Sequence, residues 1–383
     1  MKNINDSSRE FAIWLWKQLR DRGGLDAEAL SLKYKKMRGP GAHPFLRATF
    51  YRWAERWKDM EKDAPVVLSV GDVHVENFGT WSTGVPDLAW GINDADEACR
   101  LPWVSDMVRL GVSVRFALTE NHVGEVSLEA ALAKILEGYQ QGMAAEPAPG
   151  GIRVTPAHGL DGMVKKYVLG EGGVSFWTKE MKKKEAAAGM TAEAEAVLRR
   201  AMPAGVTDLA FLQPLPGKLP GTGSLGKRRY YASGLKDGAQ VMREVKPAVD
   251  SALGWATDGV AVTATGALLA SSYRLPDPTQ KLDAGWIVRA IAPESGKLQF
   301  DDLVAGGTEP QDWWELLRCM GAELSGLHRS GAEESVRKAI LAELAARGAG
   351  GAWLGIAVAR EAAVVEAEKA EFSLAIPPDA PVV

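Results

Sequence analysis

Cysteine is nearly absent from this 383-residue chain, with only Cys99 and Cys319 present. Two thiols cannot build a disulfide framework or a thiolate zinc site. Histidine is also scarce, and His43, His122, His158 and His328 show no metal-ligand spacing, which fits structural roles. A basic excess is missing: 45 Lys and Arg stand against 49 Asp and Glu, a net charge of −4. That balance argues against a generic nucleic-acid binder. No window approaches the roughly eighteen consecutive apolar residues of a spanning helix. The charges in MKNINDSSREFAIWLWKQL break any signal-peptide core. No fixed-period repeat is found. These absences predict a cytoplasmic protein that engages neither nucleic acid nor membrane. They leave chemistry to carboxylates, amides, lysines and backbone groups.

What is present is ordinary globular composition, 46% apolar and 25% charged, with 41 Gly and 20 Pro as punctuation. Residues 7–62 read as helical, with Phe11, Trp14, Leu15 and Leu19 on one face and Phe50, Trp53, Ala54 and Trp57 on another. Those stripes predict core packing. Ala64 to Val70 is a short apolar strand that runs into Gly71-Asp72. Helices are predicted over 103–119 and 127–142, a Pro/Gly-rich connection over 145–160, and a charged helix over 174–201. Within the last, Lys179 to Glu185 reads as a solvated helix face. At 213–223 the composition shifts to Pro and Gly, a candidate lobe boundary. Beyond it, Arg228–Ser233 and Ala239–Val245 form a predicted hairpin turning at Asp237-Gly238, and Trp286–Ile291 is a further strand. Helices return over 311–328, 333–347 and 353–372. The reading is an α+β chain: a helical lobe over 1–212, a small β-rich lobe over 213–300, and helices over 301–383 that rejoin the first lobe.

Two constellations carry chemistry. In the first, Gly71-Asp72-Val73-His74-Val75-Glu76-Asn77 places an acid and an amide at D-x4-N spacing just after an apolar strand. Ile92-Asn93-Asp94-Ala95-Asp96-Glu97 follows. Phosphoryl transfer needs a carboxylate to take the hydroxyl proton, and an amide with a second carboxylate to hold Mg²⁺ against the phosphates. Asp72, Asn77 and Asp94 match those parts: the Asp72 to Asn77 spacing matches the kinase catalytic loop, and the second cluster occupies the place of the Asp-Phe-Gly motif. The alternative is that Asp, Asn and Gly are simply turn formers.

In the second, Gly221-Thr222-Gly223-Ser224-Leu225-Gly226 is a G-x-G-x-x-G pattern that enters the predicted hairpin, whose second strand carries Lys246. Glycines there let the backbone approach phosphates and offer its N–H groups. Gly221 to Lys227 also fits a Walker A loop, but Arg228 sits where the metal-binding hydroxyl belongs and no helix follows. A Rossmann fingerprint fails for the same lack of a helix. A structural glycine turn is the remaining alternative. No Ser or Cys lies in a nucleophile-elbow context. Arg47 and Arg289 are candidates to reach phosphate or brace the lobes.

Taken together, GDVHVENFG, INDADE with LPWVSDMVRL, GTGSLGKRRYY and VMREVKPAVDSAL resemble the bacterial domain of unknown function 2252 family. The resemblance runs in order from about residue 36 to about residue 331. It takes in His43-Pro44-Phe45-Leu46-Arg47, Ile287-Val288-Arg289 and Leu327-His328-Arg329-Ser330-Gly331. That family is grouped with protein-kinase-like and aminoglycoside-phosphotransferase-like folds. The resemblance implies Asp72 as catalytic base, Asn77 and Asp94 as metal ligands with Asp96 as a helper. It implies Gly221, Gly223, Ser224 and Gly226 as the phosphate loop, and Lys246 as the lysine bridging the phosphates. His74 and Asp106 resemble structural members of the catalytic loop and its brace. Three positions depart from the family pattern. Ala95 replaces an aromatic residue, Ala48 replaces a glycine, and no acidic residue lies between Asp258 and Asp277 to partner Lys246. Thr265 stands about where that partner would be sought, and Glu244, two residues back on the strand, is a conceivable substitute.

Motif order is inverted relative to ordinary kinases, because the acid, amide and metal carboxylate (72–94) precede the glycine loop and lysine (221–246). The expected fold is therefore two-lobed and kinase-like but circularly permuted, with extra helices. Residues 45–62 would be the helix before the catalytic loop, and Ile291-Ala292 the end of the adenine-binding hinge strand. The expected function is ATP- and Mg²⁺-dependent phosphotransfer to a hydroxyl acceptor, a small molecule by analogy with the loop. A nucleotide-binding pseudokinase, nucleotidyl transfer on the same fold, and a helical scaffold without nucleotide are the competing expectations.

Overall fold

The computed structural model describes residues 2–84, 87–145, 151–156, 159–170, 172–218, 226–259, 263–348 and 351–374. Its elements are helices and antiparallel strands, an α+β architecture with three separate sheets. No helix among the described residues is long and apolar enough to cross a membrane.

The predicted N-terminal helical region is four helices, Ile4–Leu19, Ala27–Met37, His43–Ala48 and Phe50–Trp57. Their apolar stripes are core: Phe11, Leu15, Leu19, Phe50, Trp53 and Trp57 are all buried. The predicted strand is β1 (Val66–Ser69). It is followed by β2 (Phe78–Ser82), β3 (Leu88–Ile92), β4 (Cys99–Pro102) and β5 (Ile152–Arg153). β1 pairs with β4, and β3 pairs with both β2 and β5. The long helix Trp103–Glu120 is buried along almost its whole length. Helix Pro310–Arg329 packs on Leu128–Ala144, and Ala352–Glu371 packs on Trp103–Glu120, so the C-terminal helices lie against the helical lobe. The first of these contacts is tight. A Cβ on Gly321 would stand 1.9 Å from the Ile135 carbonyl, and one on Gly138 would stand 1.9 Å from that of Arg318.

The second lobe is a six-stranded antiparallel sheet in the order β10-β11-β9-β8-β7-β6. It comprises β6 (Lys184–Ala186), β7 (Thr207–Pro214), β8 (Tyr230–Lys236), β9 (Ala239–Pro247), β10 (Lys281–Asp283) and β11 (Trp286–Ile291). β8 and β9 are the expected hairpin. Asp237 and Gly238 both take positive φ, 51° and 80°, as a two-residue turn matched to strand twist requires. Helix Ala192–Ala201 covers one face of this sheet, burying Ala194, Val197 and Leu198 against Tyr230, Val245, Trp286 and Val288.

Two expectations need correction. The predicted helix over 174–201 is broken into Gly173–Met181, β6 and Ala192–Ala201. Lys184 is not on a solvated helix face: it lies in β6, ion-paired to Glu180 at 2.7 Å and 4.6 Å above the Tyr231 ring. In addition, β6 and β7 pair into the six-stranded sheet although β6 precedes residue 213 and β7 runs across it, so that sheet takes residues from both sides of the expected boundary. Strand pairing there is set by contacts distant in sequence, which local composition does not register.

Candidate active site

A cleft of about 440 Å³ opens between the two lobes. One wall carries the loop after β1. Gly71 has φ +75°, and a Cβ on it would stand 2.3 Å from the Glu97 carbonyl, so only glycine permits this turn. The turn is braced from below by Asp106, which is fully buried. One carboxylate oxygen accepts from Ser69 Oγ at 2.6 Å and from the Gly71 N–H at 3.2 Å. The other accepts from the Val70 N–H at 2.7 Å and bonds His328 Nε2 at 3.1 Å. His328 in turn contacts the Tyr139 hydroxyl at 2.8 Å, a satisfied structural histidine. His43 is another, with Nε2 3.0 Å from Ser113 Oγ. His158 lies outside the described residues.

Asp72 follows at the cleft floor, ion-paired through Oδ1 to Nη2 of the fully buried Arg109. Burial pushes the Asp72 carboxyl up to about 6, against the pull of Arg109. The Arg109 guanidinium also stacks on Phe50 and Trp53, and donates to the Leu46 carbonyl at 2.9 Å. Asn77 Nδ2 donates to the Asp72 carbonyl at 2.7 Å, which fixes the amide and leaves Oδ1 as its acceptor. His74 is buried, and burial drives its imidazole well below the usual range, so it is neutral. Glu76 pairs with Arg47 at 2.5 Å.

Asp94 and Asp96 come from the turn after β3, and Lys246 reaches them from β9. Lys246 Nζ stands 3.0 Å from Asp94 Oδ1 and 2.7 Å from Asp96 Oδ1. This is the contact that joins the two halves of the sequence pattern across the cleft. It also answers the missing glutamate: the partner of Lys246 is Asp96, contributed by the other lobe. Glu244, the conceivable substitute, is occupied elsewhere, at 2.7 Å from Arg229 and 2.8 Å from Arg289. Thr265 donates to the Ala95 carbonyl and so supports the turn that holds both aspartates. Burial opposes ionisation of Asp94, yet Lys246, Lys297 and Arg289 hold its carboxyl well below the usual range.

The remaining expected positions divide. Ile291 lines the cleft, while Ala292 begins a turn closed by the Ser295 N–H on its carbonyl. Gly221, Gly223 and Ser224 lie outside the described residues. Gly226 is described, at φ +104°, with Leu25, Leu15 and Leu30 next to its Cα and its carbonyl accepting from the Asp26 N–H. It therefore ties the strand entry to the N-terminal helices. Lys227, just beyond, stands 3.6 Å from Asp96.

A divalent cation fits the donors present. Among the described residues no cluster of three or more His, Cys, Asp or Glu side chains could hold a metal. The set here is smaller, two carboxylates and the Asn77 amide. Mg²⁺ characteristically takes one or two carboxylates and completes its shell with phosphate oxygens and water. Asp96 Oδ2 is buried and has no hydrogen-bond partner among the described residues, the Lys227 ammonium standing 3.6 Å away.

Sequence reasoning missed Lys33, Lys227 and Lys297 as members of this cleft, and Arg109 as the buried partner of Asp72. The signal for Arg109 was available: helix Trp103–Glu120 is apolar except for a few residues, and Asp106 and Arg109 are one turn apart on one face. Residues 25–148 match the model of a family described as an uncharacterized protein conserved in bacteria (DUF2252). The match supports the domain-of-unknown-function family. The DUF2252 match covers Asp72, Asn77, Asp94, Asp106 and Arg109, and stops short of Lys246. No curated protein and no solved structure matches the chain.

Proposed function

We propose that this chain is a circularly permuted, kinase-like phosphotransferase that moves the terminal phosphoryl group of ATP, with Mg²⁺, to the hydroxyl of a small molecule. The observation that carries the reading is that Asp94 and Asp96, both ion-paired to the buried Lys246, line one cleft with Asp72 and Asn77. A lysine and two carboxylates facing a fixed amide and a second acid is the set that phosphoryl transfer requires.

In this reading the acceptor oxygen forms a bond to the γ-phosphorus as the bond to the β–γ bridging oxygen breaks. The bridging electron pair leaves with ADP, and the hydroxyl proton passes to Asp72. Arg109 occupies Oδ1 of that carboxylate, so Oδ2 takes the proton. Asn77, Asp94 and Asp96 would hold the Mg²⁺, which when bound supplies charge neutralisation for the phosphates. Lys246, now between two carboxylates, would bridge them to the phosphates.

The experiment is the pH profile of ATP-dependent phosphorylation in a screen of hydroxylated small molecules. Only ionised Asp72 accepts a proton, and its carboxyl titrates at about 6. The expected result is a rate that falls about tenfold per pH unit below about 6 and levels off above it. A profile flat down to about pH 5 would remove Asp72 as the base. Mass spectrometry of the product separates this reaction from nucleotidyl transfer, which would add AMP. ATP binding without turnover for any acceptor would favour a pseudokinase.

A further inference from the structure

The cleft holds more positive charge than the proposed machinery uses, and one cation there stands apart. Arg47 is paired with Glu76 at 2.5 Å, Arg229 and Arg289 with Glu244 at 2.7 and 2.8 Å, and Lys227 with Asp96 at 3.6 Å. Lys246 is held by both Asp94 and Asp96. Lys297 also lines the cleft, yet makes no hydrogen bond or ion pair among the described residues. The charges that act on it are Asp94 and Glu76, which favour its ammonium, and Arg289 and Arg47, which oppose it.

Its mounting is rigid. Lys297 lies in the loop between β11 and the helix Phe300–Ala305, and that loop is fastened to β2, the strand that continues from Asn77. The Thr80 N–H donates to the Gly296 carbonyl at 2.8 Å, Thr80 Oγ1 donates to the Glu294 carbonyl at 2.6 Å, and the Gly296 N–H returns to Thr80 Oγ1 at 3.2 Å. Glycine is required on both sides of the seam. A Cβ on Gly79 would stand 2.5 Å from the Gly296 carbonyl, and one on Gly296 would stand 2.5 Å from Val168. Burial lowers the Lys297 ammonium to about 8. An ammonium desolvated with no anion in direct contact is destabilised until one arrives.

We propose that Lys297 is a phosphate-binding residue that contacts the terminal phosphate of the nucleotide. The inference rests on the nucleotide reading above and adds a residue to it. Lys246 and Lys297 act on Asp94 from different elements, β9 and the loop after β11. The phosphates would lie beside Asp94, so Lys246 serves the inner end of the chain. Lys297, under the influence of Glu76 in the catalytic loop and of Arg47 in the helix His43–Ala48, serves the outer end. The outer phosphate is the one that ATP has and ADP lacks.

The test is calorimetric titration of the full chain with AMP-PNP·Mg²⁺ and, separately, with ADP·Mg²⁺, for the wild type, Lys297→Met and Lys297→Arg. Lys297→Met is expected to weaken AMP-PNP about tenfold or more and to leave ADP within about twofold, with Lys297→Arg recovering much of the difference. Unchanged affinity for AMP-PNP, or an equal loss for both nucleotides, would overturn the assignment. Failure of the wild type to bind either nucleotide is a different result: it would overturn the nucleotide reading and the assignment with it.

Discussion

Asp94→Asn should lower Mg²⁺-dependent ATP turnover by about three orders of magnitude or more, equivalent to about 4 kcal/mol of transition-state stabilisation. The substitution keeps the side chain's shape and removes its charge. Asp94 is held ionised by Lys246, Lys297 and Arg289, the condition a metal carboxylate needs. The fold should survive, because Asp96 remains 2.7 Å from Lys246 and keeps that buried ammonium partnered. The measurement is steady-state turnover with varied Mg²⁺, alongside a urea denaturation curve. A variant with unchanged turnover would remove Asp94 from the mechanism. A variant that loses turnover together with most of its stability would show that Asp94 is needed for the fold.

The largest effect on stability is expected at Asp106. Its two oxygens receive Ser69 Oγ, the Val70 and Gly71 N–H groups and His328 Nε2, all in a fully buried setting. Asp106→Ala would leave these groups unsatisfied, and removing one partner of such a buried network typically costs about 3–5 kcal/mol. Asp106→Asn is close in volume yet presents an N–H where an acceptor is needed, so it should lose much of the same stability. Volume is then excluded as the cause. Because the loop it braces presents Asp72, any folded fraction should also be poorly active. A loss below about 1 kcal/mol in the denaturation midpoint would contradict this role.

Much of the helical part was legible in the sequence because helices report their own period. The stripes ending in Trp53 and Trp57, and the long segment after Trp103, needed no distant contact to be found. The β8–β9 hairpin was legible for a related reason, since Asp237-Gly238 supplies the positive φ that its turn demands. Strand β6 was not legible. Lys184-Glu185-Ala186 has helical composition, and it is strand only because β7 is beside it.

The candidate site divides the same way. Asp72 and Asn77 declare themselves by spacing within one loop. Sequence pattern points to a nearby helix for the partner of Lys246, and the structure supplies Asp96 from about 150 residues earlier, a pairing that only the folded chain reveals. Lys297 carries no motif. It becomes a candidate because every neighbouring cation with a stated role already has a carboxylate, a fact about space that spacing along the chain cannot express.

In the proposed function the cleft between the lobes binds ATP through Asp94 and Lys246 with Mg²⁺. Calorimetric titration of the full chain with ATP, with and without Mg²⁺, tests it most directly. One saturable site per chain is expected, with an affinity that rises with Mg²⁺ and falls about tenfold or more in Asp94→Asn. No heat beyond dilution at about 1 mM ATP·Mg²⁺ would contradict it, and would leave Asp72, Asp94 and Lys246 as parts of a structural ion-pair network.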